Sequence, residues 1–249
     1  MKKFELTTNT KIWFGRKLFQ IKALISFGNV KEGELGGYIE KEANLGHSGN
    51  AWVYGDAWVC GDAEVCGDAW VYGNAEVYGN AKVCGNAKVC GNAEVCGNAK
   101  VCGDAEVCGN AKVYGNAKVY GDAWVCGNAE VCGNAKVYGD AWVCGNAWVC
   151  GNAWVCGDAE VCGDAEVCGD AWVYGNADYA IIKGFGTEFR TTTFFKCKDE
   201  VIRGRCGCFY GDLNQFREQV KNTRTGKIAE EYLMIADLME KHFKEEKDV

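Results

Sequence analysis

The residues best equipped for chemistry in this chain are its cysteines, and their spacing is regular. Cys90, Cys108, Cys126, Cys144 and Cys162 follow one another at intervals of eighteen. Thiolates are ligands for soft metals such as copper or zinc. If eighteen residues make one turn of a coil, the five thiols stand in a line on one of its sides. A tetrahedral site needs ligands that converge on one point, whereas a column presents its side chains in parallel. Disulfides along the column are geometrically feasible but not ideal. Neighbouring strands stand about 4.8 Å apart, and the Cβ atoms of a disulfide about 3.5–4.5 Å. Tyr occupies the same place in other repeats, so the expectation is that Cys there is a compact apolar substitute. Metal binding is the alternative. Cys197, Cys206 and Cys208 form a C-x-C with one further Cys and lack a fourth ligand, and are expected to be buried structural thiols.

The second group with chemical character is aromatic. Trp52, Trp70, Trp124 and Trp142 repeat in the same eighteen-residue register, accompanied by Tyr54 and Tyr72. Their first expected role is stacking on the equivalent side chain one turn above and below, at roughly 0.2–1 kcal/mol per pair. An exposed row of rings is also an interface candidate. Self-association or a protein partner is favoured over a carbohydrate.

These residues are positioned by one hexapeptide, Ala-x-Val-(Tyr/Cys)-Gly-(Asn/Asp), written twenty-one times between Ala51 and Asn176 without insertion or deletion. Such a unit buries its apolar side only by stacking on copies of itself. Ala and Val, two residues apart, share one face of a strand, and the Trp, Glu or Lys between them takes the other. Gly-(Asn/Asp) suits a sharp corner, with Gly at positive φ and Asn or Asp tolerating the left-handed region. Three hexapeptides per coil make seven coils, about 34 Å of rod at the usual strand spacing. In that register Lys82, Lys100, Lys118 and Lys136 form one column and Asp104, Asp122, Asp140 and Asp158 the next, so that their charges offset. Two corners carry Asn throughout their middle coils, and stacked Asn amides hydrogen-bond along a ladder.

The inward Val followed four positions later by an inward Ala, as in Val53 and Ala57, resembles the hexapeptide-repeat left-handed β-helix. The resemblance, not the spacing, implies the left hand. The chain departs from that family in placing Tyr or Cys after the Val, where a small or acidic residue is usual. The resemblance also raises an acyltransferase as a further alternative. Such enzymes use a His at a trimer interface and a loop leaving the coil. Here the repeats contain neither, and the only two histidines, His47 and His242, lie outside them and read as ordinary surface residues. No nucleophile–base constellation or phosphate loop is present, so no catalytic residue is assigned.

The formal charge of −7 is unevenly placed. The repeats hold 9 Asp and 7 Glu against 6 Lys, which gives −10 and leaves the flanks at +3. An acidic rod repels phosphate backbones, so nucleic acid is not an expected partner. The absence of a signal peptide and of any long apolar run points away from a membrane. Seventeen Cys without a secretory signal point to reduced thiols in the cytoplasm. Proline is absent, as suits a backbone committed to ladder hydrogen bonds.

Residues 1–50 are expected to form an N-terminal β cap and an irregular first coil. A hairpin turns at Gly15-Arg16-Lys17, and Ala43-Asn44-Leu45 matches the repeat core. Residues 51–178 form the solenoid and 179–249 an α+β C-terminal cap. That cap is expected to have strands at Tyr179-Ala180-Ile181-Ile182, Arg190 to Phe195 and Glu200-Val201-Ile202. Asp212 opens a helix carrying Phe216 and Val220. A second helix, from about Lys227 to Phe243, faces inward with Ile228, Tyr232, Ile235 and Leu238. The flanks, through Leu35-Gly36-Gly37-Tyr38-Ile39-Glu40 and Gly207-Cys208-Phe209-Tyr210-Gly211, resemble uncharacterised solenoid proteins of bacteria and phages. The expected whole is an all-β solenoid acting as a non-catalytic structural or interaction protein with no cofactor.

Overall fold

The computed structural model describes residues 2–244. Each hexapeptide contributes one two-residue strand, x-Val, and pairs in parallel with the strand eighteen residues away, as in Lys88 with Glu106 and Val89 with Val107. In most hexapeptides three hydrogen bonds climb to the next coil. In one of them Glu106 N donates to Ala123 O (3.0 Å), Cys108 N to Val125 O (2.9 Å) and Asn110 N to Gly127 O (2.7 Å). At nearly every corner the residue after Gly thus joins the ladder as the strand does, with Asp56 and Asp122 among the exceptions.

Three sheets result, and they are the sides of the rod. The first runs from Trp52–Val53 to Glu160–Val161 and the third from Glu64–Val65 to Trp172–Val173, each with seven strands. The second, from Trp58–Val59 to Glu166–Val167, continues into Leu35–Ile39, Arg16–Ala23 and Phe4–Trp13 to reach ten. Leu35–Ile39 lies parallel over Trp58–Val59, and Leu45 bridges Val65, so an irregular coil precedes the seven regular ones. The parallel solenoid has about eight turns. Val and Ala line its interior with almost no exposure, from Val53 to Val173. The Cys and Tyr that follow each Val lie on the outer layer, where Cys60, Cys90, Cys132, Cys156 and Cys168 are nonetheless buried.

The corner differs from expectation in one respect. Only Gly takes positive φ there; no corner Asn or Asp does. The Asn instead serves the ladder predicted for its amide. Asn92 Nδ2 donates to Asn110 Oδ1 and Asn110 Nδ2 to Asn128 Oδ1, both at 3.0 Å. Each ladder ends on an Asp, whose carboxylate accepts and does not donate: Asn146 donates to Asp164 and Asn152 to Asp170. Asp56 and Asp62, in the first coil, pair with Lys11 and Lys41 of the N-terminal cap, and Asp164 with Lys183 of the C-terminal one. Among the described residues no ion pair joins the Lys column of the third side to the Asp column beside it. Lys82 reaches Glu64 at 3.0 Å and Lys136 lies 4.1 Å over the Trp154 ring.

The N-terminal hairpin covers the first coil. Leu18, Tyr38, Trp58 and Cys60 make a small satellite core against Trp13. Buried Lys3 donates to Ala51 O (2.8 Å) and Gly49 O (3.2 Å). At the other end an antiparallel sheet forms from Tyr179–Ile182, Thr192–Lys196, Ile202–Cys206 and Phe209–Asp212. Its second strand separates two cores: Phe195 closes the lumen of the rod, while Phe194 faces helices α1 (Leu213–Thr223) and α2 (Gly226–His242). Asp212 caps α1 by accepting from Gln215 N, as its sequence pattern predicts. Two details depart from expectation. Glu200 sits at φ +63 in a turn, and the strand begins two residues later. Leu238 is 55% exposed, and Ala236 and Met239 take the inward places on α2.

Candidate functional site

The first side gathers the chemistry-bearing residues. Its outer surface has two columns flanking the buried Val. One is Trp52, Trp70, Lys88, Glu106, Trp124, Trp142 and Glu160; the other is Tyr54, Tyr72 and then the five Cys. The decisive contacts run diagonally, sixteen residues apart, because the x residue of one coil leans over the Tyr or Cys of the coil before. Trp124 Nε1–H donates to Cys108 Sγ (3.2 Å) and Trp142 Nε1–H to Cys126 Sγ (3.1 Å). Cys90 Sγ lies 3.9 Å from Glu106 Oε1. The same diagonal recurs on the second side, where Tyr114 Oη donates to Glu130 Oε2 (2.9 Å). Same-residue stacking also occurs, as between Trp124 and Trp142 (5.4 Å, 13° between planes). Sequence reasoning considered only the vertical neighbours and missed the diagonal, although the alternation of x and Cys around Val encodes it.

Burial raises the pKa of two thiols on this side, Cys90 and Cys108. Cys90 is pushed up chiefly by desolvation, and Cys108 reaches about 11 for the same reason although the Trp124 indole favours its thiolate. The neighbouring Cys90 thiol, together with burial, raises the pKa of the Tyr72 hydroxyl. Cys90, Glu106 and Cys108 each present a ligand atom within 4.8 Å of the others, and so do Cys144, Glu160 and Cys162.

Two expectations about this side are corrected. Trp52 is no surface residue: it is wholly buried, with Phe27 and Phe4 of the cap 5.3 and 6.3 Å from its ring. The cap needs an apolar anchor on the first coil, and Trp52 supplies it. Cys144 and Cys162 are joined by a disulfide rather than free. Their Cα atoms are 4.7 Å apart, within the range disulfides span, because the thiols lean toward each other from parallel strands. Cys90, Cys108 and Cys126 are free. Trp124 and Trp142 remain 42% and 39% exposed. Tyr54, Trp70 and Tyr72 are half-buried and, with Asn29 and Lys88, line a shallow recess beside the cap.

The remaining candidates lie apart. Cys197 is buried under the last coil, whereas Cys206 is half-buried and Cys208 exposed, so the three are not uniformly buried thiols. Cys206 and Cys208 line a cleft with Arg190, Arg224 and Tyr232. His47 stacks on Phe4 (4.5 Å), accepts from Lys3 N at Nδ1 (3.2 Å) and places Nε2 2.8 Å from Glu42. Nδ1 as acceptor leaves Nε2 as the donor to the carboxylate. His242 is exposed at the end of α2.

Compared with known proteins, the chain is similar to the YdcK beta solenoid repeat, whose family model matches residues 111–127. That match covers about one coil in the middle of the rod and touches neither cap. No curated protein matches the chain.

Proposed function

We propose that the chain is a non-catalytic structural or interaction solenoid whose first side associates with protein, in the first instance with further copies of itself. The observation that carries this reading is the Trp124–Trp142 stack, exposed on a flat parallel sheet at 42% and 39%. Parallel sheets normally have both faces covered, and large exposed rings mark interfaces. The aromatic recess of Tyr54, Trp70 and Tyr72 adds a second station on the same side. His47, engaged by Phe4, Lys3 and Glu42, has a structural task, which favours this reading over an acyltransferase. Among the described residues no helix is long and apolar enough to cross a membrane. A cytoplasmic location, which the fifteen free cysteines favour and the one disulfide does not, and the left-handed sense of the coil belong to the same proposal.

Light scattering over a hundredfold concentration range tests it. The wild-type mass is expected to rise above that of one chain, and Trp124→Ser/Trp142→Ser to remain at one chain with its circular dichroism unchanged. A wild-type mass of one chain throughout contradicts self-association.

A further inference from the structure

We propose that Cys90, Glu106 and Cys108 form a binding site for a divalent cation of the zinc class, and that a second such site at Cys144, Glu160 and Cys162 is closed by its disulfide. The coil geometry builds the site. Two Cys eighteen residues apart stand one above the other, and the residue sixteen after the first crosses the gap between them. When that residue is Glu, a carboxylate oxygen converges on the two thiols and the donors no longer lie in a flat row. Among the repeats this combination occurs three times, starting at Cys90, Cys144 and Cys150.

The structure distinguishes the three. At the first, both thiols are free and the three donor atoms lie within 4.8 Å of one another. Zinc–thiolate bonds of about 2.3 Å in a tetrahedron set donors ~3.7 Å apart, so the 3.9 Å between Cys90 Sγ and Glu106 Oε1 needs little adjustment. Glu106 has no ion-pair partner among the described residues, whereas Glu94 reaches Lys112 and Glu166 reaches Arg205. That pairing with Arg205, at 3.0 Å, removes the third combination, Cys150–Glu166–Cys168. At the second, the disulfide has consumed both thiols.

The donor set selects the ion. A carboxylate beside two thiolates suits zinc, which accepts sulfur and oxygen, better than copper(I), which favours sulfur alone. The fourth position is open to water. Trp124 Nε1–H, 3.2 Å from Cys108 Sγ, orients and stabilises that thiolate from outside the ligand set. Binding displaces one proton from each thiol. At the second site a phosphine reductant, oxidised to its oxide with water as oxygen source, delivers two electrons and two protons to the disulfide and frees both sulfurs.

Cobalt(II) is the probe, because thiolate-to-cobalt charge transfer and intense visible bands report tetrahedral sulfur ligation. Oxidised full-length protein is expected to bind one equivalent, and phosphine-reduced protein two. Glu106→Gln keeps every thiol and is expected to weaken the first site at least about tenfold, a loss zinc competition also reads. Cys84→Ser/Cys102→Ser removes a stacked pair crossed by Lys100 instead of Glu and is expected to change neither count nor affinity. If Glu106→Gln binds as wild type does, or if losing Cys84 and Cys102 costs as much, the cation is held by thiols in general and the site is overturned. A count of one after complete reduction overturns the second site.

Discussion

The indole N–H of Trp124 donates to Cys108 Sγ at 3.2 Å, across sixteen residues and one coil. This contact makes the outer surface a woven layer: each coil is tied to the one before by a side chain reaching diagonally. Trp124→Phe keeps the cover over Cys108 and removes the donor that favours its thiolate. Alkylation of Cys108 at pH 9, followed by mass spectrometry, is expected to slow by about three- to tenfold, the equivalent of one hydrogen bond. Cys102, on another side, should react at its wild-type rate.

The Asn ladders explain why Asp replaces Asn at their last coil, where the side chain need only accept; in the first coil Asp56 and Asp62 pair instead with Lys11 and Lys41. Within a ladder each amide both accepts and donates, as Asn110 does between Asn92 and Asn128. Asn110→Asp loses the donor, and urea unfolding is expected to show a loss of about 1 kcal/mol. Asp164→Asn keeps the terminal acceptor and loses only an exposed charge pair with Lys183, so a few tenths of a kcal/mol is expected.

Corner glycines meet two requirements that one comparison separates. Gly103 has φ +80, and a Cβ there lies 2.9 Å from Gly121 N and 3.0 Å from its O. Gly163 has φ +71 with nothing within 4 Å. Alanine at either position incurs about 1–2 kcal/mol for the left-handed backbone. Gly103→Ala is expected to lose more, by the overlap with the coil above, and to show a correspondingly lower Tm than Gly163→Ala.

Alkaline pH is expected to destabilise the rod. Burial raises Cys60, Cys66 and Cys108 from 9.0 to about 11, so the folded chain keeps protons that the unfolded chain releases. Stability therefore falls as pH climbs from 9 to 11 and is insensitive to these groups below 9. Lys3 opposes the trend, since burial lowers it to about 8 and its slope is positive between 8 and 10.5. The several thiols outweigh the one amine. Urea midpoints across pH 8–11 check the sign, and Cys60→Ser/Cys66→Ser/Cys108→Ser should flatten the decline.

The rod was legible in the sequence because one six-residue unit states the whole solution. Val and Ala at a spacing of two fix the inner face, and Gly fixes the corner. The Asn ladders and the Lys82-to-Lys136 column follow from counting eighteen. What escaped was set by residues from different elements. Trp52 looks like any other outward Trp until Phe4 and Phe27 close over it. The convergence of Glu106 on Cys90 and Cys108 required the diagonal lean of side chains, which a column-by-column reading does not contain. In the C-terminal cap, the helical period offered Leu238 where tertiary contacts chose Ala236 and Met239.

The register of eighteen is the claim on which all of these rest, and the cysteines test it directly. Mild oxidation of the folded monomer, followed by mapping of its disulfides, is expected to yield pairs eighteen residues apart, such as Cys84–Cys102, Cys90–Cys108 and Cys132–Cys150. Cys84, Cys90, Cys96, Cys102 and Cys108 occupy consecutive hexapeptides, so pairs six or twelve residues apart are equally available to any other winding. Their predominance would contradict the three-sided coil.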